Sequence, residues 1–112
     1  MPESTLSAED TKLVTLARSS RARSRSSEGA AVRDQDGRTY VATAVDLPSL
    51  RLSALQTAVA MAVSSGATGL EAASVVSEDH QLDLDAVRDL GGPDVAVHLA
   101  DPAGRLQATV RT

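Results

Sequence analysis

Leu50-Arg51-Leu52-Ser53-Ala54-Leu55-Gln56-Thr57-Ala58-Val59-Ala60-Met61-Ala62-Val63-Ser64-Ser65-Gly66 is the stretch on which the reading of the fold turns. From Leu50 to Ser65 its only charged residue is Arg51. A helix that is apolar nearly all round is buried on more than one side. The stretch therefore predicts a helix over Leu50 to Ser65, with Gly66 as a left-handed cap. Pro48-Ser49 ends what precedes it and suits a helix start. Ala54, Ala58 and Ala62 recur at i, i+4 and i+8 and form a ridge that a neighbour can approach closely. That neighbour is either another element of the same domain or a second subunit.

Upstream, Thr39 to Val45 (TYVATAV) is rich in strand formers, and Gly29 to Arg33 reads as a shorter strand. Asp34-Gln35-Asp36-Gly37 joins them with hairpin chemistry. Earlier still, Ser7 followed by Glu9 and Asp10 has the form of a helix cap with acids in the first turn. Leu13, Val14, Leu16 and Ala17 then give one apolar face, so a helix is expected from about Ala8 to about Arg21. Residues 1–6 read as a frayed terminus. Residues 18–27 carry Arg18, Arg21, Arg23 and Arg25 with no acid, and read as a loop or a helix end.

Downstream, a third strand is expected within Leu70 to Val76, a short helix over Asp83 to Leu90, and strands over Asp94 to Leu99 and Arg105 to Arg111. Asp101-Pro102-Ala103-Gly104 joins the last two as a turn. The predicted order is α-β-β-α-β-α-β-β. Helical crossovers after the second and third strands imply a five-stranded mixed sheet with helices on its faces, a three-layer α/β/α sandwich.

The chain has 112 residues, one domain by length. It has no Phe or Trp and a single Tyr, Tyr40. A core of Ala, Val and Leu buries less area per position than one with aromatics, which favours a homodimer or homotetramer. The net charge of −4 gives no global bias toward nucleic acid or anionic membrane. The absence of cysteine excludes disulfides and thiolate metal sites. No apolar run reaches the roughly 18 residues that span a bilayer, and the acidic MPESTLSAED start lacks the pattern of a secretory signal. A cytoplasmic protein without membrane contact is the expectation.

Several local words agree with one family. Glu28-Gly29-Ala30-Ala31 is similar to a Val-Gly-Ala-Ala, Asp36-Gly37-Arg38 to an Asp-Gly-Arg hairpin, and Thr57-Ala58 with Ala62-Val63-Ser64-Ser65-Gly66 to a Thr-Ala…Ala-Val-Ser-Glu-Gly. Their order and spacing from Glu28 to Val76 resemble the nucleoside cytidine deaminases, whose element order is also the one predicted. That resemblance implies the fold, an oligomer, and a zinc site at the start of the central helix.

The resemblance stops at the chemistry. In that family the helix opens with Cys-Ala-Glu, where the Cys ligates zinc and the Glu moves protons; here Ser53-Ala54-Leu55 stands in the frame. A serine hydroxyl is a poor zinc ligand, and a leucine carries no proton. The Pro-Cys-x-x-Cys that should supply two further ligands on the next helix has no counterpart. The family's ribose-holding Asn-x-Glu falls on Ala44-Val45-Asp46-Leu47, which leaves Asp46 as a shortened relic. Its stacking Phe falls in Arg25-Ser26-Ser27. Without the zinc hydroxide and the proton carrier, hydrolytic deamination lacks its main sources of rate.

Other readings of the same residues are weaker. His80 and His98 could join carboxylates on a metal only if the fold brought them together. Ser53 as a nucleophile would need a base and an oxyanion site; a helix cap is the plainer role. The acids of Asp79 to Asp85 lack an EF-hand pattern. Arg18, Arg21, Arg23 and Arg25 could neutralise phosphates of RNA or of a ribosome, or remain solvated. The sequence thus points to a non-catalytic, oligomeric interaction or regulatory module with no metal and no cofactor, and with an unidentified protein partner. The alternatives are a divergent zinc-dependent cytidine deaminase, an RNA- or ribosome-associated factor, and a nucleoside sensor.

Overall fold

The computed structural model describes residues 6–112, and among them the chain forms three helices and seven strands. They run α1 (Ala8–Ser24), β1 (Glu28–Asp34), β2 (Thr39–Thr43), β3 (Val45–Leu47), β4 (Leu50–Leu52), α2 (Ala54–Ser64), β5 (Leu70–Ser77), α3 (Asp85–Gly91), β6 (Ala96–Ala100) and β7 (Leu106–Arg111). The main sheet has five strands in the order β2-β1-β5-β6-β7. Only β5 and β6 pair in parallel; the other neighbours are antiparallel, so the sheet is mixed as expected.

Side chains alternate across the sheet and feed two cores. Ala30, Val32, Val75, Val97 and Leu99 face α2 and α3, where they meet Leu55, Ala58, Val59, Ala62 and Val87. Ala31, Ala72, Val76 and Ala100 face α1 and meet Leu13, Val14 and Ala17. This is the three-layer sandwich read from the element order.

Two expectations change. Leu50-Arg51-Leu52 is not the first turn of the central helix. It is strand β4, paired with β3 as Leu47↔Leu50, Asp46↔Arg51 and Val45↔Leu52 around Pro48-Ser49. An apolar run gives no period by which to place a helix start; the start is fixed by Ser53, whose extended backbone and capping side chain bar a helical turn before it. Second, α1 continues past Arg21 to Ser24, so most of the Arg/Ser segment is helix. It stops where Arg25 turns left-handed (φ 53°) and its N–H reaches the carbonyls of Ala22 and Arg21. Residues 1–5 of the expected frayed terminus lie outside the described residues. Leu6 packs against the smaller core.

The approach of α1 to the sheet depends on Gly29. A Cβ there would fall on the carbonyl oxygen of Ala17 and lie 3.0 Å from the Arg21 nitrogen. The helix is also held by charge. Asp10 accepts from His98 Nε2 at 2.8 Å and pairs with Arg33 at 2.9 Å. Arg33 also reaches Glu71 at 2.8 Å, and His98 Nδ1 meets the Thr109 hydroxyl at 2.9 Å. Burial works to raise the Asp10 carboxyl, but the bonds and charges of His98 and Arg33 hold it below its ordinary value.

The β1–β2 hairpin is closed by the buried Asp34. One oxygen accepts the N–H groups of Asp36 and Arg38, and the other accepts the Tyr40 hydroxyl at 2.9 Å. The sole aromatic side chain thus serves the turn.

Candidate functional site

Three elements meet where α2 begins. β1 starts beside the end of β5, with Glu28 opposite Ser77 in register. The β3–β4 hairpin delivers the chain to Ser53, the residue that caps α2. The first N–H groups of a helix have no partner within it and give its start a partial positive charge. Here those of Ala54 and Gln56 are met by side chains. Ser53 Oγ accepts from the Gln56 N–H at 3.0 Å, and Gln56 Oε1 accepts from the Ser53 N–H at 2.9 Å, a reciprocal capping box. The Thr57 hydroxyl donates to the Ser53 carbonyl at 2.9 Å. From 26 residues away, Glu28 Oε1 accepts the Ala54 N–H at 2.6 Å.

Ser53 is therefore a cap, its oxygen engaged with the helix backbone. Leu55, one turn position inside, is 2% exposed and belongs to the larger core. Across from α2, Leu82 and Leu84 pack on the same core. α3 opens at Leu84 without a side-chain cap, its first N–H held instead by Asp83 at 2.9 Å. In the connecting loop, both ring nitrogens of His80 are buried without a hydrogen-bond partner. His98 lies in β6 on the α1 side, bound to Asp10 and Thr109, so the two imidazoles do not converge on a shared ligand set. Among the described residues no group of three or more His, Cys, Asp or Glu side chains could hold a metal ion.

Asp46 does not approach α2. Its carboxylate is 85% exposed and faces Arg51 across the hairpin at 3.4 Å. The four arginines are also dispersed. Arg18, Arg23 and Arg25 are exposed, whereas Arg21 is half-buried and donates to the Ser27 carbonyl at 3.1 Å. Five residues separate Arg18 from Arg23, nearly one and a half turns, so these two point to different sides of α1. Sequence reasoning missed Glu28 as a cap. Its partner is remote in the chain, and the only local hint is an acid at a strand start where the family resemblance expects an apolar residue.

The five-stranded mixed sheet, with α1 on one face and α2 and α3 on the other, forms an α/β/α sandwich. The cytidine deaminase-like family model matches residues 6–104. The chain belongs to the cytidine deaminase-like family. Solved structures agree. The chain is 25% identical to a cytidine deaminase from Burkholderia pseudomallei, covering 94% of this chain and 92% of that one with a TM-score of 0.74. It is 21% identical to the cytidine deaminase of Mycobacterium leprae, covering 90% and 93% with a TM-score of 0.68. It is 24% identical to a point variant of the Mycobacterium tuberculosis cytidine deaminase, covering 81% and 85% with a TM-score of 0.69. No curated protein sequence matches the chain.

The zinc that the family resemblance implies does not fit the donors at this helix start. Ser53 Oγ is engaged as a cap, Leu55 has no donor, and the Glu28 carboxylate already holds the Ala54 N–H. The chain is a degenerate member of its family.

Proposed function

We propose that this chain is a non-catalytic interaction or regulatory module on the cytidine deaminase fold, working as a homodimer or homotetramer in the cytoplasm without a cofactor. The observation that carries the reading is the start of α2. The position that the family resemblance gives to a proton carrier is Leu55, buried in the core, and the N–H groups of Ala54 and Gln56 are held by Glu28 and Ser53. Deamination needs an activated water and a group that carries protons between it, the ring and the leaving amine. Leu55 offers no proton-carrying group at that position, and Ser53 Oγ is engaged as a cap.

Assembly has its own support. Leu47 and Leu50, the cross-strand pair at the tip of the β3–β4 hairpin, are 55% and 49% exposed, and α2 exposes Met61 and Val63 without a charged residue along its length. Apolar, uncharged surface of this kind is what subunit contacts cover.

The test is metal analysis and an ammonia-release assay with cytidine on the same purified protein, with sedimentation to give the mass. Absence of stoichiometric zinc, absence of turnover and a multimer are expected. Zinc at one per chain together with uridine formation overturns the reading in favour of a divergent deaminase.

A further inference from the structure

On the sheet face opposite α2, α1 and the β6–β7 turn enclose a groove of about 490 Å³, lined mainly by Leu6, Thr11, Val14, Thr15, Arg105 and Leu106. Its volume lies in the range of small-molecule pockets, roughly 300–1,000 Å³. One wall is helical. Thr11, Val14, Thr15 and Arg18 stand at i, i+3, i+4 and i+7 and so share one side of α1. The Thr15 hydroxyl is committed to the Thr11 carbonyl at 3.1 Å.

The other wall is a fixed turn. Asp101 Oδ1 accepts the N–H groups of Ala103 and Arg105 at 3.0 and 2.9 Å, and Oδ2 accepts from Gln107 at 3.2 Å. Gly104 takes φ +87°, and a Cβ on it would lie 3.0 Å from Arg18 Cδ and 3.7 Å from its Nε. The Arg18 side chain thus crosses the turn at Gly104, and Arg105 is the next residue. Arg105 lines the groove, and the Arg18 side chain lies against Gly104, another of its lining residues. Neither arginine forms an ion pair with a carboxylate among the described residues.

We propose that this groove binds an amphiphilic carboxylate, its apolar body against Leu6, Val14 and Leu106 and its head between Arg18 and Arg105. Guanidinium forks match carboxylate oxygens in pairs and in charge. The apolar walls supply affinity that a free anion would lack. The site lies across the sheet from the start of α2 and is independent of the function proposed above.

Calorimetric titration of the full chain with octanoate, 1-octanol, acetate and octyl phosphate tests it. Octanoate should bind one per chain, with 1-octanol and acetate at least about tenfold weaker, because each lacks one half of the match. Arg18→Gln and Arg105→Gln should each weaken octanoate about tenfold, in keeping with the strength of a charge-assisted bond. Thr15→Trp, at an exposed helix position, should fill the groove and abolish binding while leaving the thermal melt cooperative; Leu106→Gln should weaken it should that variant fail to fold. Failure of octanoate to bind, or equal binding to the Trp and Gln variants, overturns the site. Equal binding of 1-octanol overturns the role of the arginines, and tighter binding of octyl phosphate overturns the choice of carboxylate.

Discussion

On the α2 side of the sheet, the polar side chains at the helix start bond to backbone. Ser53, Gln56 and Glu28 all satisfy N–H groups of the first turn or of the cap itself. On the α1 side, charged side chains bond to one another. Asp10, His98, Arg33 and Glu71 form one connected set that ties α1 to three strands. The first arrangement keeps polar atoms from facing a ligand. The second uses long-range charge to seat a helix whose apolar face is small. The difference teaches that the polar residues of this chain work in two ways: on the α1 side they hold elements together, and at the start of α2 they serve the backbone.

The comparison breaks first at Leu55. Leu55→Glu puts the family's proton-carrying residue type back in its frame, but into the larger core. An unpaired buried carboxylate should cost about 4 kcal/mol or more. Chemical denaturation should show it, and Ser53→Cys with Leu55→Glu should still release no ammonia from cytidine. A Leu55→Glu chain as stable as the parent would mean that water reaches this position and that the α2 side is not sealed.

The next largest effect is expected on the other face, at Gly29. Gly29→Ala drives a methyl into the Ala17 carbonyl, and overpacking of this kind costs about 1–3 kcal/mol. The loss should appear as a lower Tm with α1 the first element to exchange its amide hydrogens.

Much of this architecture was legible because its signals are local. The Asp36-Gly37 hairpin, the Ser7 cap of α1 and the Asp101 turn each involve residues within a few positions of one another. What could not be read is held across the chain. Asp10 meets His98 over 88 residues and Glu28 meets Ala54 over 26, and no spacing rule links such pairs. The β3–β4 hairpin was hidden for a different reason. Leu50 and Leu52 extend the apolar run of α2, so the same residues satisfy a helix or a strand until the Ser53 cap decides. The departures from the family's motif were legible because they rest on residue types, and cysteines cannot be supplied by folding.

Asp10 sharpens the comparison through pH. Asp10→Asn keeps the shape and removes the charge that His98 and Arg33 face, at a cost of about 1–2 kcal/mol near neutral pH. The sign follows from the direction of the shift. The folded carboxyl titrates below its unfolded value of about 3.9. Its contribution is therefore fully present above that pH and is lost as pH falls through the folded pKa. The gap in Tm between the parent and Asp10→Asn should be wide near pH 7 and should narrow as the pH is taken below about 4. A gap that stayed constant would show that the α1 network acts by shape alone.

The smallest effect expected is at Glu28, and it bears on the other half of the comparison. A carboxylate on a helix N–H contributes through both the bond and the partial charge of the helix start, together about 0.5–1 kcal/mol. Glu28→Gln preserves the acceptor and should lose only the charge component, so its melt should fall between those of the parent and Glu28→Ala. Salt separates the two components, since screening weakens the charge term and leaves the bond. If Glu28→Gln and Glu28→Ala were indistinguishable at low salt, the carboxylate would matter to α2 as a charge alone. If both matched the parent, the helix start would owe its closure to Ser53 and Gln56, and Glu28 would be only a neighbour of it.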